Sequence, residues 1–121
     1  MKVKKIVIRN LKSILDDTVK TVKAIERGEK LKPAKEPEIY FTSFEALRKV
    51  LTPKRLELLH IIKMKKPSSI NELARMAKRD VKNVMDDVKY LEQVGLIERK
   101  EAGKRTEISV TYDKLSFEMA V

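Results

Sequence analysis

The sequence predicts a mainly α-helical fold with a small β component. Helix start and stop signals recur between residues 42 and 95, and an alternating apolar pattern follows a glycine-containing turn near Gly103. A short run of β-branched residues and an amphipathic stretch come before residue 42. A chain of 121 residues has the size of one domain, so we expect one domain with an N-terminal appendage.

The N-terminal appendage is predicted to be a strand followed by a helix. Residues 3–9 are rich in β-branched side chains, and the charge at Lys4 and Lys5 places this strand near a sheet edge. Asn10 can cap the next helix, because its side chain can accept a hydrogen bond from a free first-turn amide. In that helix, apolar residues recur at spacings of three and four and form one stripe: Leu11, Ile14, Leu15, Val19, Val22 and Ile25.

The stripe and the segment after it predict how the chain is organised. Gly28 ends the helix, and the charged, proline-containing segment from there to Glu38 is typical of an extended linker. We therefore expect an N-terminal strand-helix arm with its linker over residues 1–35 and a second unit over residues 36–121. An isolated apolar stripe would be exposed to water, so it needs a partner. Dimerisation is one explanation, and packing against the same chain is the other.

Four helices are predicted in the second unit. A helix over residues 43–51 is followed by one that Pro53 opens, where the missing proline N–H costs nothing. A short helix then reaches a tight turn at Lys78 and Arg79, and a longer helix ends at Gly95. The predicted caps, whose side-chain oxygens can accept hydrogen bonds from first-turn amides, are Thr42, Thr52, Ser69 and Asp80.

A β-hairpin is predicted after Gly95. Leu96 and Ile97 begin a strand, residues 101–104 make a turn, and apolar residues alternate on the returning strand. One further strand is predicted over residues 115–121. The order of helix, short helix, turn, longer helix and hairpin is that of a winged helix-turn-helix domain. The alternative is a three-helix core with a hairpin that has no role in binding.

Three stretches of the second unit resemble a known group of proteins. LTPKRLELLHII, SINELARMAKRDVKNVMDDVKYLEQVGLIER and VTYDKLSFEMAV are similar to the prokaryotic predicted transcriptional regulators of MarR-like winged-helix type. The resemblance is good from Tyr40 to the C-terminus and looser over the N-terminal strand and helix. It implies a cytoplasmic DNA-binding repressor, usually a homodimer. Some similar small regulators serve as antitoxins encoded beside a toxin, which implies a toxin or other protein partner as the alternative.

Composition narrows the class of partner. The chain carries 28 Lys and Arg against 18 Asp and Glu, a net charge of +10, which favours a polyanion such as double-stranded DNA. Residues 1–41 hold 11 basic and 6 acidic side chains and the rest hold 17 and 12, so each part carries +5 and charge alone locates no site. The absence of Cys fits a reducing cytoplasm. No apolar run is long enough to span a membrane, so we expect no membrane partner.

The helix over residues 81–94 supplies the central DNA-binding candidates. Its apolar positions, from Val81 to Leu91, must face the core, which leaves the opposite face for the major groove. On that face Asn83 can pair with adenine, and Lys82 can reach a guanine or a phosphate. Basic residues of the hairpin tip suit the DNA backbone or minor groove. The complete predicted set is Ser69, Lys78, Arg79, Lys82, Asn83, Asp86, Lys89, Tyr90, Lys100, Lys104 and Arg105.

For each of these residues an ordinary solvated surface is the alternative, and capping alone explains Ser69. Asp86 and Asp87 need a separate explanation, because acidic side chains near phosphates are unfavourable. Asp86 lies four residues after Lys82, so the two can pair and orient the lysine, which is the interpretation we favour. The others are that Asp86 accepts a hydrogen bond from cytosine, or that the acids face a basic protein partner.

Signals for catalysis are weak. His60 is the only histidine and lies among Leu58, Leu59, Ile61 and Ile62, so we expect it to be structural. No Cys or carboxylate pair with ligand spacing accompanies it, and the three glycines do not form a phosphate-binding loop. The sequence therefore predicts a non-enzymatic protein with no cofactor and no metal.

Overall fold

The computed structural model of the protein describes residues 1–28, 38–103 and 105–121. Within them the chain forms, in order, β1 (Val3–Ile8), α1 (Leu11–Glu26), β2 (Ile39–Phe41), α2 (Phe44–Val50), α3 (Pro53–Lys65), α4 (Ile70–Ala77), α5 (Val81–Gln93), β3 (Glu98–Ala102), β4 (Arg105–Ser109) and β5 (Lys114–Met119). This order confirms the predicted class, a mainly α-helical fold with a small β component. The helices α3, α4 and α5 followed by the β3–β4 hairpin form a winged helix-turn-helix.

A three-stranded parallel sheet joins the two ends of the chain. Its strand order is β2-β1-β5, with Ile6 opposite Ile39 on one side and opposite Phe117 on the other. The predicted further strand near the C-terminus is therefore β5. The prediction that β1 lies near an edge was wrong, because β1 is the central strand. Its lysines do not mark an edge, since Lys5 pairs with Glu38 and Glu118 on neighbouring segments.

Three of the predicted helix caps are confirmed. The side chains of Asn10, Thr52 and Ser69 accept hydrogen bonds from first-turn amides at 2.7, 3.2 and 3.1 Å. The cap at Thr42 was wrong, because Ser43 accepts from the Ala46 amide at 3.1 Å and α2 begins one residue later than predicted. Asp80 precedes α5 as predicted but makes no side-chain cap hydrogen bond.

One apolar core includes residues from both ends of the chain. Leu58 of α3, Leu73 of α4 and Val84 of α5 are fully buried, and Ile6 of β1 is buried in the same cluster. Leu96 and Ile97 are also buried, but they precede the hairpin, which begins at Glu98. The division at residue 35 stays a prediction. Because β1 contributes to this core, the role of the N-terminal arm is better tested by surface substitutions than by deletion.

Helix α1 turns its polar side toward its own chain. Arg9 donates hydrogen bonds to the Ser13 side chain, at 2.7 Å from Nη2, and forms an ion pair with Asp17. The apolar stripe faces away from the chain, with side chains 48–59% exposed: Leu11, Leu15, Val19, Val22 and Ile25. The alternative that the stripe packs against its own chain is therefore not what the structure shows. The linker predicted between Gly28 and Glu38 lies outside the described residues.

Candidate nucleic-acid interface

The two faces of α5 differ as the sequence predicted. Val84, Val88 and Leu91 are each 0% exposed and fix the helix to the core. The opposite side carries polar and amphipathic residues that are exposed to solvent: Lys82, Asn83, Met85, Asp86, Lys89 and Tyr90. Gly95 adopts a positive φ of 90° after the helix, which directs the chain into the hairpin. The structure thus presents one polar face on a firmly packed helix.

The turn between α4 and α5 sets where α5 begins. Lys78 closes α4 in the left-handed conformation, with φ 55° and ψ 47°, and its backbone N–H donates to Arg75 O at 3.2 Å. The Arg79 N–H donates to Ala74 O at 3.0 Å. At the other end of α4, the Ser68 hydroxyl and amide donate to the Glu72 carboxylate, which lowers the pKa of Glu72. Both ends of the short helix are therefore held by local hydrogen bonds.

Asp87 joins α5 to two other parts of the domain. Its Oδ2 accepts from Arg79 Nη2 at 2.7 Å, and its Oδ1 accepts from Arg55 Nε of α3 at 3.0 Å. The three side chains are only 16–19% exposed, so water screens these charges less than at an open surface. Partial burial by itself raises the pKa of Asp87, but the hydrogen bonds from Arg79 and Arg55 outweigh it, and the pKa lies below its usual value.

Arg55 extends this cluster to α2 and to the exposed face of α5. Its Nη1 donates to the carbonyls of Lys49 and Val50 at 2.9 and 3.0 Å, at the end of α2. Its guanidinium carbon lies 4.6 Å from the centre of the Tyr90 ring, a cation–π distance. We call Arg55, Arg79 and Asp87 the arginine clamp. The clamp fixes the orientation of α5 relative to α2, α3 and the preceding turn.

The hairpin leaves α5 at a defined angle because its base is packed. Ile108 is 7% exposed, and Tyr112 donates its hydroxyl hydrogen to Leu96 O at 2.9 Å. Burial of that phenol raises the pKa of Tyr112. Arg99 of β3 pairs with Glu92 of α5 at 2.9 Å, which ties the hairpin to the helix. Lys100 is exposed and lies opposite Glu107 on β4.

A basic groove lies between the hairpin and the end of α3. It has a volume of about 500 Å³ and is lined by Lys63, Lys66 and Lys100, with Glu107 as its acidic residue. Lys63 is paired with Asp113 at 3.2 Å. Lys66 ends α3 in the left-handed conformation, at φ 48°. The groove brings Lys66, which was not in the predicted binding set, next to Lys100, which was.

The predicted DNA-binding residues fall into four groups. Lys82, Asn83, Asp86, Lys89 and Tyr90 share the exposed side of α5, and Ser69, Lys78 and Lys100 are exposed on the segments around it. Arg79 was predicted to contact DNA, but its side chain is held in the arginine clamp. Lys104 and the side chain of Arg105 lie outside the described residues.

The two adjacent aspartates, Asp86 and Asp87, lie in different environments. Asp86 is exposed, whereas Asp87 is the acceptor of the clamp. The favoured interpretation, an ion pair between Lys82 and Asp86, is not found among the ion pairs of the described residues. Arg55 and Asp87 were missed as residues that support the site. The available signal was that Asp87 lies three residues after Val84 and four before Leu91, beside the buried side of the helix, where a carboxylate requires a charged partner.

Other kinds of site are less well supported. His60, the histidine expected to be structural, is exposed on α3 although its sequence neighbours Leu59 and Ile61 are buried. Within the described ranges, no group of three His, Cys, Asp or Glu side chains could hold a metal ion. In the same ranges no helix is both long enough and apolar enough to cross a membrane.

Comparisons with known proteins identify a family model and a similar solved structure. The model of the HVO_A0114 family matches residues 50–117, which is more than half of the chain. A search of curated proteins found no match. Among solved structures, a similar one is the solution NMR structure of the homodimeric winged helix-turn-helix DNA-binding domain (fragment 1-100) of Mb0332 from Mycobacterium bovis, a possible ArsR-family transcriptional regulator. The identity is 14%, the match covers 81% of this chain and 67% of that chain, and the TM-score is 0.45.

Proposed function

The chain belongs to the HVO_A0114 family, and we propose that it is a sequence-specific transcriptional regulator that binds duplex DNA as a homodimer. The observation that carries this proposal is the exposed polar side of α5 on a helix fixed by the arginine clamp. A helix of this size fits the major groove, where Asn83 can pair with adenine and Lys82 with guanine. Arg79 is then a positioning residue that holds α5 rather than one that contacts DNA.

The surfaces beside α5 supply the attraction to phosphate. Lys78 lies in the turn before α5, and Lys66 and Lys100 line the basic groove between α3 and the hairpin. Lysines that neutralise phosphates release counterions, so these contacts add affinity without selecting sequence. Ser69 and Lys104 with Arg105 at the hairpin tip are the remaining backbone candidates. The net charge of +10 also attracts the protein as a whole to the negatively charged DNA.

Helix α1 is the proposed dimerisation element. Its outward-facing apolar stripe is covered if two α1 helices pair antiparallel. One flank of the stripe then carries complementary charges, because Lys12 lies near Glu26 of the partner subunit and Asp16 lies near Lys23 of the partner subunit. A dimer presents two α5 helices to two half-sites, which a single winged domain does not.

The mode of regulation and the place of action follow from this proposal. Repression is the simplest outcome, since a dimer bound at a promoter occupies DNA that polymerase requires. A regulator of this kind acts in the cytoplasm, and its place among MarR-like regulators remains a prediction from the sequence. If the α1 stripe instead takes a helix of a foreign protein, the chain is a partner-binding module such as an antitoxin.

The direct test is fluorescence anisotropy with duplexes from the DNA upstream of the gene and with scrambled duplexes. The expected result is preference for an upstream duplex, and an affinity that falls with salt at a logarithmic slope of about −0.9 per neutralised phosphate. Asn83→Ala should relax the preference and Lys82→Ala should weaken binding. Lys20→Ala removes one lysine from the polar side of α1 and serves as the charge-matched control. Equal, salt-independent binding of all duplexes contradicts the proposal.

A further inference from the structure

β5 is a long and unprotected sheet edge. It lies at the edge of the three-stranded sheet, and its outer side pairs with no strand in the described ranges. It spans six residues without proline, whereas β2, at the opposite edge, spans three. Phe117 and Met119 are each 54% exposed. Exposed apolar edges of this kind pair readily with another strand, and most proteins blunt or cover them.

An apolar groove adjoins this edge. It has a volume of about 440 Å³, and Phe44, Leu51 and Leu56 line it together with Phe117 and Met119. Phe44 is 53% exposed and Leu56 is 42% exposed. The groove lies on the side of the sheet that packs on the helices, because Phe117 and Met119 are opposite Ile6 and Ile8 of the core. A strand added to β5 would therefore place alternate side chains over this groove.

We propose that β5 pairs antiparallel with β5 of a second copy of the chain, which makes one continuous six-stranded sheet. This surface is distinct from α1. If α1 forms the dimer of the proposed function, β5 joins dimers into larger assemblies, of which a tetramer is the smallest.

The charged residues of β5 favour a second β5 strand as its partner and favour one alignment of the two strands. When Ser116 lies opposite Ser116 of the partner subunit, Lys114 lies opposite Glu118 of the partner subunit, a carboxylate that also pairs with Lys5 of its own copy. The symmetric pair repeats this contact. In the same register Leu115 lies opposite Phe117 of the partner subunit. A shift that places Phe117 opposite its own copy leaves Lys114 opposite Ala120 and removes both charge pairs. Registers offset by a single residue mix the two faces and are excluded.

The pairing also covers the edge of the groove that Phe117 forms. A two-fold axis perpendicular to the sheet keeps the helices of both copies on the same side. Leu115 of the partner subunit then lies directly opposite Phe117, which lines the groove, and Phe117 of the partner subunit lies diagonal to it. The contact is reciprocal. Cross-strand pairs of an aromatic with an aliphatic residue, and of opposite charges, are each stabilising. The same association therefore pairs the free backbone groups of β5, buries its apolar side chains and brings its opposite charges together.

Cysteine cross-linking of the full chain tests the register, because the natural sequence has no Cys. Ser116→Cys should form an interchain disulfide under mild oxidation, since directly opposed residues lie within the Cα separation of about 4.4–6.8 Å that disulfides require. Thr111→Cys, an exposed site outside β5, is the control. A cross-link yield for Ser116→Cys no higher than for Thr111→Cys overturns the proposal. The cross-link does not depend on α1. If the α1 dimer does not form, Ser116→Cys should still cross-link through β5.

Charge reversal tests the same contact without cysteine. Lys114→Glu places like charges opposite each other twice and should weaken the β5 association on the order of tenfold, measured by analytical ultracentrifugation. Lys114 is exposed, so folding should be unaffected, which circular dichroism checks. DNA affinity per dimer should stay unchanged, which separates this result from failure of the proposed function. An assembly equilibrium that Lys114→Glu leaves unaltered contradicts the β5 pairing.

Discussion

Asp87 and Arg79 form an ion pair at 2.7 Å that ties α5 to the turn before it. Arg55 shares the same carboxylate from α3, so one acidic side chain holds three segments. The neighbouring Asp86 is exposed and holds none of them. The two adjacent aspartates therefore have different roles, and each role leads to its own prediction.

Asp87→Asn should destabilise the fold. The substitution keeps the size of the side chain but removes the charge that two partly buried arginines share. We expect the free energy of unfolding to fall by about 2–4 kcal/mol, the range for losing charged hydrogen bonds in a partly buried cluster. Urea denaturation monitored by circular dichroism measures this. Asp86→Asn is the matched control and should change the free energy of unfolding by less than about 0.5 kcal/mol. Equal effects of the two substitutions would contradict the role of the clamp.

The clamp should also make stability depend on pH. The pKa of Asp87 is lower in the folded state than its ordinary value of 3.8, so the folded chain holds this proton less tightly than the unfolded chain. The contribution is present above pH 3.8 and is lost as the pH falls through the folded-state pKa. The difference in unfolding free energy between the wild type and Asp87→Asn should therefore shrink as the pH is lowered from about 5 toward 2. A difference that stays constant across this range would show that Asp87 does not act through its charge.

Several local interactions were predictable from the sequence, and the distant ones were not. The caps at Thr52 and Ser69 depend on amides three residues away, so the sequence contains the whole interaction. Asp87 depends on Arg55, which lies 32 positions earlier. The N-terminal strand pairs with β5, and the hydrogen bond from the Lys2 amide to Asp113 spans 111 positions. No periodicity in a single sequence identifies such partners, which is why β1 was misplaced at an edge and the clamp was missed.

The exposed face of α5 could be predicted, because the buried positions determine the opposite side of a helix. The partner of Asp86 could not, since a spacing of four allows a pair with Lys82 without requiring it. The same limit applied to Arg79, whose position in the turn suggested DNA although its charge is used within the protein. For Asp86 the position was inferred correctly and the predicted ion pair was not found. For Arg79 the position in the turn was inferred correctly, and its ion pair with Asp87 was missed.

Asp86→Ala should increase affinity for DNA of any sequence. Asp86 is exposed beside Lys82 and Lys89, so its charge would repel nearby phosphates without serving the fold. We expect tighter binding to scrambled duplexes, with the preferred upstream duplex still bound best, in fluorescence anisotropy titrations. If the preference instead collapses at one base pair, Asp86 accepts a hydrogen bond from cytosine and reads the sequence directly.

Lys100→Glu should weaken binding to all duplexes alike. Lys100 lines the basic groove beside Lys66, a position suited to the DNA backbone, and backbone contacts do not discriminate between sequences. The logarithmic salt slope should also become less steep, by about 1 for each phosphate that is no longer neutralised. Lys20→Glu makes the same charge change on the polar side of α1 and should affect binding much less. A change in sequence preference would mean that the hairpin enters a groove and reads bases.

Val19→Asp should disrupt the proposed α1 dimer. Val19 lies in the middle of the apolar stripe and is 50% exposed, so the substitution places a charge in the interface while the fold of the protomer is retained. Light scattering coupled to gel filtration should show the loss of the α1-dependent association. Binding to a two-half-site operator should weaken much more than binding to a single half-site, because the two α5 helices are no longer linked. Lys20→Gln makes the same change in charge on the opposite side of α1 and should preserve the dimer. A dimer that withstands Val19→Asp and is lost on Lys114→Glu would assign the operator-binding dimer to β5 instead.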